Sequence, residues 1–265
     1  MVTILRLTIG VALLTATHLG MAQAWQTNNR TISITTGLMQ QDYQEYDNHQ
    51  RVDNGILNTE KSDIHEFAIN TRYQHTHQGL WLQGRATHVT GATNYDGFLQ
   101  QGNQLIPYQS ITDNTMYKLS ANVGYALPVG EKIQLIPNIG GQHQRWDRQL
   151  SQYDERFTQR SVSAGIVAQY QATPNIGLEV SAEVGKQINS DIKVPQHNFE
   201  QELDKKTVWQ VGAKASYQLS DSLAILGEAT HQVNAYGKSL VQDDLQYPSG
   251  KAKHTSWLLG VRSSF

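Results

Sequence analysis

Ten segments of this chain alternate apolar and polar residues with a period of two, and the connections between them alternate in length. Few folds satisfy both conditions. The segments run at about Thr31 to Tyr43, Asp63 to His75, Gly79 to Thr90, Thr115 to Leu127, Lys132 to Trp146, Thr158 to Gln171, Ile176 to Ile188, Thr207 to Leu219, Leu223 to Tyr236 and Thr255 to Phe265. A period of two puts successive side chains on opposite faces of a strand. Short turns fall at Thr76-His77-Gln78, Pro128-Val129-Gly130-Glu131, Thr173-Pro174-Asn175 and Ser220-Asp221-Ser222, and the other five connections are long. Tight turns join antiparallel neighbours. The pattern therefore predicts an all-β, antiparallel, up-and-down sheet of about ten strands, with both termini at the short-turn end.

Parity then separates two surroundings. Tyr73, Tyr125, Tyr170 and Tyr217 each stand three residues before a short turn on the apolar parity, and Phe265 joins them. Trp209, Trp257 and Tyr117 hold the same parity at the opposite end. Rings with a hydrated edge collect where a membrane meets water, so these residues are expected to form girdles around an apolar band. That band draws on Ile32, Ile34 and Leu38, on Phe67 and Ile69, on Leu119, Ala121 and Val123, and on Ile176, Leu178, Val180 and Val184. Pro137 falls in mid-strand, where a missing N–H predicts a bulge or kink.

The chain ends H-T-S-W-L-L-G-V-R-S-S-F, with Trp257, Leu259, Val261 and Phe265 on one parity. This ending resembles the C-terminal signal of bacterial outer-membrane β-barrel proteins. The resemblance implies that those four residues are read by the barrel assembly machinery. It also implies a transmembrane barrel in contact with outer-membrane lipids and lipopolysaccharide, with short turns in the periplasm and long loops outside. At the other end Arg6 precedes an apolar run from Leu7 to Leu14, followed by Ala22-Gln23-Ala24. That arrangement predicts a signal peptide over residues 1–24 and a barrel domain over 25–265.

Composition fits an exported barrel. Charged residues make up 17% of the chain, below the roughly 25% of ordinary soluble domains. With a mean hydropathy of −0.49, no run after residue 24 approaches the roughly 20 apolar residues of a membrane-spanning helix. Cysteine is absent, which excludes disulfides and thiolate metal sites. The net charge of −2 argues against nucleic-acid binding.

The inward parity gathers a charge network of Glu66, Arg72, Arg85, Lys118, Glu179, Glu183, Lys214, Glu228 and Arg262. Barrels of about eight strands are just filled by side chains, and open channels appear at 16 to 18. A ten-stranded bore is expected to be closed by these charges, with Glu179 and Glu183, Lys214, Glu228 and Arg262 on four successive strands so that opposite charges on neighbours pair, and loss of Lys214 costing more than any loop substitution. Ten strands is also the count of the omptin proteases, a resemblance that would imply Asp and His hydrolysis at the extracellular rim. Their Asp-x-Asp and Asp-x-His signatures do not occur as a pair on these strand ends. His254-Thr255-Ser256 is similar to the His-x-Ser of lipid A deacylases over three residues, with Glu228 deeper on the adjacent strand. His75 with His77, and His65 with His88, lack a third ligand fixed by spacing. No metal or cofactor is expected.

The long connections, Gln44 to Ser62, Gly91 to Asn114, Asp147 to Phe157, Asn189 to Lys206 and Gly237 to His254, read as solvated loops rich in Asn, Gln, Asp and Tyr. Binding function concentrates on such loops. The expectation is a non-enzymatic surface protein whose loops meet an extracellular ligand or host surface, ahead of a narrow channel and a rim hydrolase.

Overall fold

The architecture is a closed antiparallel barrel, seen in a computed structural model that describes residues 29–47, 51–101, 104–150, 153–241 and 246–265. The expected signal peptide lies outside these residues. The strands are β1 (Thr31–Tyr46), β2 (Ile56–Gln74), β3 (Gly79–Gln101), β4 (Gln104–Val129), β5 (Ile133–Gln149), β6 (Asp154–Thr173), β7 (Ile176–Val194), β8 (Phe199–Glu202), β9 (Thr207–Gln218), β10 (Leu223–Tyr236) and β11 (Gly250–Ser264). Each barrel strand pairs with its neighbours, β6 pairs with β7, and β1 meets β11 from Thr31↔Ser264 to Glu45↔Gly250. Because β8 pairs only with the outer end of β7, the wall has ten strands. Among the described residues no helix is long and apolar enough to cross a membrane.

The outward parity is apolar and exposed, as with Ile34, Leu119, Val180 and Ile225. Tyr73, Tyr125, Tyr170, Tyr217 and Phe265 are exposed near the short-turn end, and Tyr117, Trp209 and Trp257 at the other. Reading between these girdles, the spanning segments are 32–38, 67–73, 80–88, 117–129, 133–143, 162–170, 176–184, 209–219, 223–231 and 257–265. A tilted spanning strand needs about 9 to 11 residues. β3 has 23 and β4 has 26, so the surplus stands beyond the membrane.

That surplus corrects the reading of the long connections. Most of Gly91 to Asn114 and of Asp147 to Phe157 is paired strand, down to Gln101↔Gln104 and Gln149↔Asp154. Outside the membrane the outward face is polar too, so the contrast that marks a strand disappears from the sequence although the pairing continues. Pro137 makes no bulge. Its ladder to β4 lapses between Gly124↔Asn138 and Leu127↔Leu135, but the register is the same on both sides. The missing N–H removes local bonding to one neighbour while Pro137 stays paired to Ile166 on the other.

Closure depends on two glycines at the β1–β11 seam. A Cβ on Gly37 would come within 2.0 Å of the Trp257 carbonyl oxygen, and one on Gly260 within 2.0 Å of that of Ile34. No other residue type allows the first and last strands to approach so closely.

Candidate functional site at the long-loop mouth

The bore is filled in layers. At the short-turn end four amides close a ring. Asn29 Nδ2 donates to Gln74 Oε1 at 2.7 Å, Gln74 Nε2 to Gln134 Oε1 at 3.1 Å, Gln134 Nε2 to Gln169 Oε1 at 3.1 Å and Gln169 Nε2 to Asn29 Oδ1 at 3.0 Å. Trp81, Ala126, Ile136 and Val167 form an apolar cluster at the same end. Buried amides are tolerable because each finds a partner.

The charge layer lies above. Arg72 grips Glu179 with two hydrogen bonds of 2.5 and 2.7 Å. Arg85 meets Glu228 at 2.6 Å and Glu66 at 3.5 Å, and Lys214 meets Glu228 at 3.5 Å. The expected pairing of Glu179 with Lys214 is thus replaced by one with Arg72. Although Glu179 and Lys214 are register partners, the guanidinium reaches across the bore from β2 and offers the planar fork that fits a carboxylate. Glu183 accepts from Ser163, Lys118 donates to Gln232 Oε1 at 2.9 Å, and Arg262 donates to Gln218 Oε1 at 3.1 Å. The remaining cavity is about 110 Å³.

A lid of rings covers the charges. Tyr43 stands edge-on to Trp146 at 5.1 Å, Trp146 stacks on Phe157 at 5.2 Å, and Phe157 meets Tyr236 at 5.0 Å. Met39, Ile64, Met116 and Ile192 fill the gaps. Strand parity carried past the membrane puts Trp146 and Phe157 inside, where alternating residues of β5 and β6 are buried.

The same parity turns Arg148 onto this lid. Its guanidinium lies 4.6 Å from the Tyr43 ring and 5.3 Å from Trp146, a cation–π arrangement strengthened by loss of water. Three carboxylates surround it: Glu45 at 3.1 Å, with Glu60 and Glu155 in still closer contact. Tyr247 donates to Glu45 Oε1 at 2.6 Å and so anchors the last connection to the cluster. Burial opposes the Arg148 charge, but Glu60 and Glu155 outweigh it and hold the guanidinium well above its ordinary value. Burial pushes the Glu155 carboxyl up to about 7 against the pull of Arg148.

Above this floor opens a pocket of about 530 Å³ to which all five long connections contribute. Leu57 and Asn58 come from the first, Tyr95 and Phe98 from the second, Leu150 and Tyr153 from the third, Val194 and Phe199 from the fourth, and Tyr247 and Pro248 from the last. The sequence alone leaves Arg148 and Glu155 in a solvated loop. Arg148 shares the parity of Trp146 and Glu155 that of Phe157, so only alternation extended two residues outward on β5 and β6 marks them as inward.

The hydrolase signatures resolve differently. Ser256 Oγ donates to Glu66 at 2.5 Å, and both ring nitrogens of buried His254 have no partner among the described residues. The two do not form a base–nucleophile pair. One Asp-x-His spacing, Asp63-Ile64-His65 on β2, leaves Asp63 and His65 exposed and Ile64 buried. Another, Asp47-Asn48-His49, runs outside the described residues. His88 packs on Tyr117 at 4.9 Å, and Tyr73 bonds to His75 at 3.2 Å.

No family model and no curated protein matches the chain. Among solved structures, the outer membrane protease OmpT from Escherichia coli is similar at a TM-score of 0.62 and 11% identity, over 90% of this chain and 97% of that one. The transport unit of the autotransporter AIDA-I from Escherichia coli follows at 0.47 and 11%, over 88% and 90%. Ail, the attachment invasion locus protein of Yersinia pestis, stands at 0.35 and 14%, over 89% and 99%. The chain has the all-β, closed ten-stranded fold of bacterial outer-membrane barrels.

Proposed function

We propose that this chain is a non-enzymatic outer-membrane surface protein that binds a ligand outside the cell at the mouth of a closed barrel. The observation that carries the reading is the stack of amide, charge and aromatic layers beneath a pocket built by every extracellular connection. A transport path would have to cross all of them. Supporting a binding role over a hydrolytic one, the mouth carboxylates are engaged by Arg148 and Tyr247, and no Asp–His pair faces the pocket among the described residues. The barrel wall meets lipid and lipopolysaccharide. The terminal strand from Trp257 to Phe265 is the segment we assign to the assembly machinery, and residues 1–24 are assigned to export.

Orientation tests this reading. The chain lacks cysteine, so single thiols report position cleanly. On intact cells, Asp53→Cys should react with a membrane-impermeant maleimide, and Glu131→Cys in the β4–β5 turn should react only after the envelope is broken. The reverse pattern would place the mouth in the periplasm and overturn the proposal.

A further inference from the structure

The floor of the mouth pocket holds more acid than base. Glu45, Glu60 and Glu155 surround one guanidinium, and Arg51 at the rim is already tied to Asp47. Two acceptors on this floor lack a donor among the described residues. Asn58 donates through Nδ2 to Glu45 Oε2 at 2.5 Å, which leaves its Oδ1 buried and unpaired. Turning the amide over would set its oxygen against a carboxylate, so the orientation is fixed. Glu155 is held through Oε2, by Arg148 and Tyr247, and its Oε1 meets no donor among the described residues. Asn58 bonds to Glu45 directly, and Glu155 shares Arg148 and Tyr247 with Glu45. The rest of the lining is largely apolar and includes Leu57, Phe98, Leu105, Tyr153 and Phe199.

Resting on the surface-binding reading above, we propose that this pocket takes a small molecule with an apolar body and one protonated amine, the ammonium donating to Glu155 and Asn58. A volume of about 530 Å³ falls in the range of small-molecule sites, which pair apolar walls with a few placed polar groups. A carboxylate ligand would meet like charge, and a neutral alcohol would leave the excess acid uncompensated.

Proton linkage gives the site a signature. The groups facing Glu155 are Glu45 and Tyr43 from β1, Glu60 from β2, Tyr95 from β3, Arg148 from β5, and Tyr153 and Tyr247 from the connections. Since burial lifts the Glu155 carboxyl to about 7, the ammonium must displace a proton below that pH and none above it. Affinity should be full in mild alkali and fall as the pH drops through 7.

The test titrates 4-phenylbutylammonium, 4-phenylbutanol and 4-phenylbutyrate into purified full-length protein in zwitterionic detergent, with gel heat-modifiability confirming the fold of each variant. At a pH of about 8.5 the ammonium should bind at least about tenfold more tightly than the alcohol, with the butyrate weakest. At a pH of about 5.5 the ammonium should lose at least about tenfold while the alcohol holds. Glu155→Gln should erase both differences. Should that variant not fold, Asn58→Leu must weaken the ammonium without weakening the alcohol. Equal binding of ammonium and alcohol, preference for the butyrate, or no binding of any probe would overturn the proposal. Inverted thiol labelling would sink the surface-protein reading instead, and leaves the ammonium preference measurable.

Discussion

Arg148→Met should destabilise the folded barrel by about 3 to 5 kcal/mol, the range for removing one partner of a buried ion pair. Glu45, Glu60 and Glu155 would remain around a thioether, and Tyr247 would lose the guanidinium that donates to its hydroxyl at 3.2 Å. The stack on Tyr43 and Trp146 would lose its cation as well. Part of the loss should return in acid, because protonated carboxyls no longer need a counter-charge. The measurement is the midpoint of the heat-modifiable gel transition at neutral pH and at a pH of about 5. This reverses the expectation that Lys214 matters more than any residue in a long connection. After Lys214→Met, Glu228 keeps Arg85 at 2.6 Å, so that loss should be smaller. A Lys214→Met transition falling further than that of Arg148→Met would place the structural centre in the charge layer rather than at the mouth.

Gly260→Val should block closure of the barrel. The added Cβ alone would sit 2.0 Å from the Ile34 carbonyl oxygen and 2.8 Å from the Thr35 Cα. Backbone rather than a flexible side chain must give way, in a seam whose strands pair along the whole length of β1. Overpacking costs typically about 1 to 3 kcal/mol, and more where the backbone cannot move. Little heat-modifiable protein should reach the membrane, and Gly37→Val should behave alike. Gly141→Ala is the control, since its nearest atom would be the Ser161 oxygen at an ordinary 3.6 Å. Normal assembly of Gly260→Val would mean that the first and last strands do not meet in this register.

Much of the wall was legible because lipid and lumen differ so sharply along each strand. The four tyrosines three residues before a short turn fixed the register of that rim, and all four are outward and exposed. The interior was legible as a list of inward residues but not as contacts. Glu179 finds Arg72 rather than its neighbour Lys214 because a narrow bore brings opposite walls within reach, which parity cannot express. The mouth was least legible. Asp147 and Gln149, on either side of Arg148, face outward beyond the membrane and are polar, so the polarity contrast is gone and only parity continued from Trp146 points Arg148 inward, without showing that it is almost wholly buried. Its burial depends on strands far apart in sequence bringing Glu45, Glu60 and Glu155 to one point.

Closure of the bore is the claim on which both the binding reading and the layered interior rest, and conductance addresses it directly. Purified protein inserted into planar bilayers should give no stable open level, because any ion would have to pass the amide ring, the Arg72–Glu179 and Arg85–Glu228 pairs, the Trp146 and Phe157 lid and the Arg148 cluster in turn. A steady open state of porin-like size in the wild-type protein would contradict the account and recast the same charges as the selectivity lining of a channel.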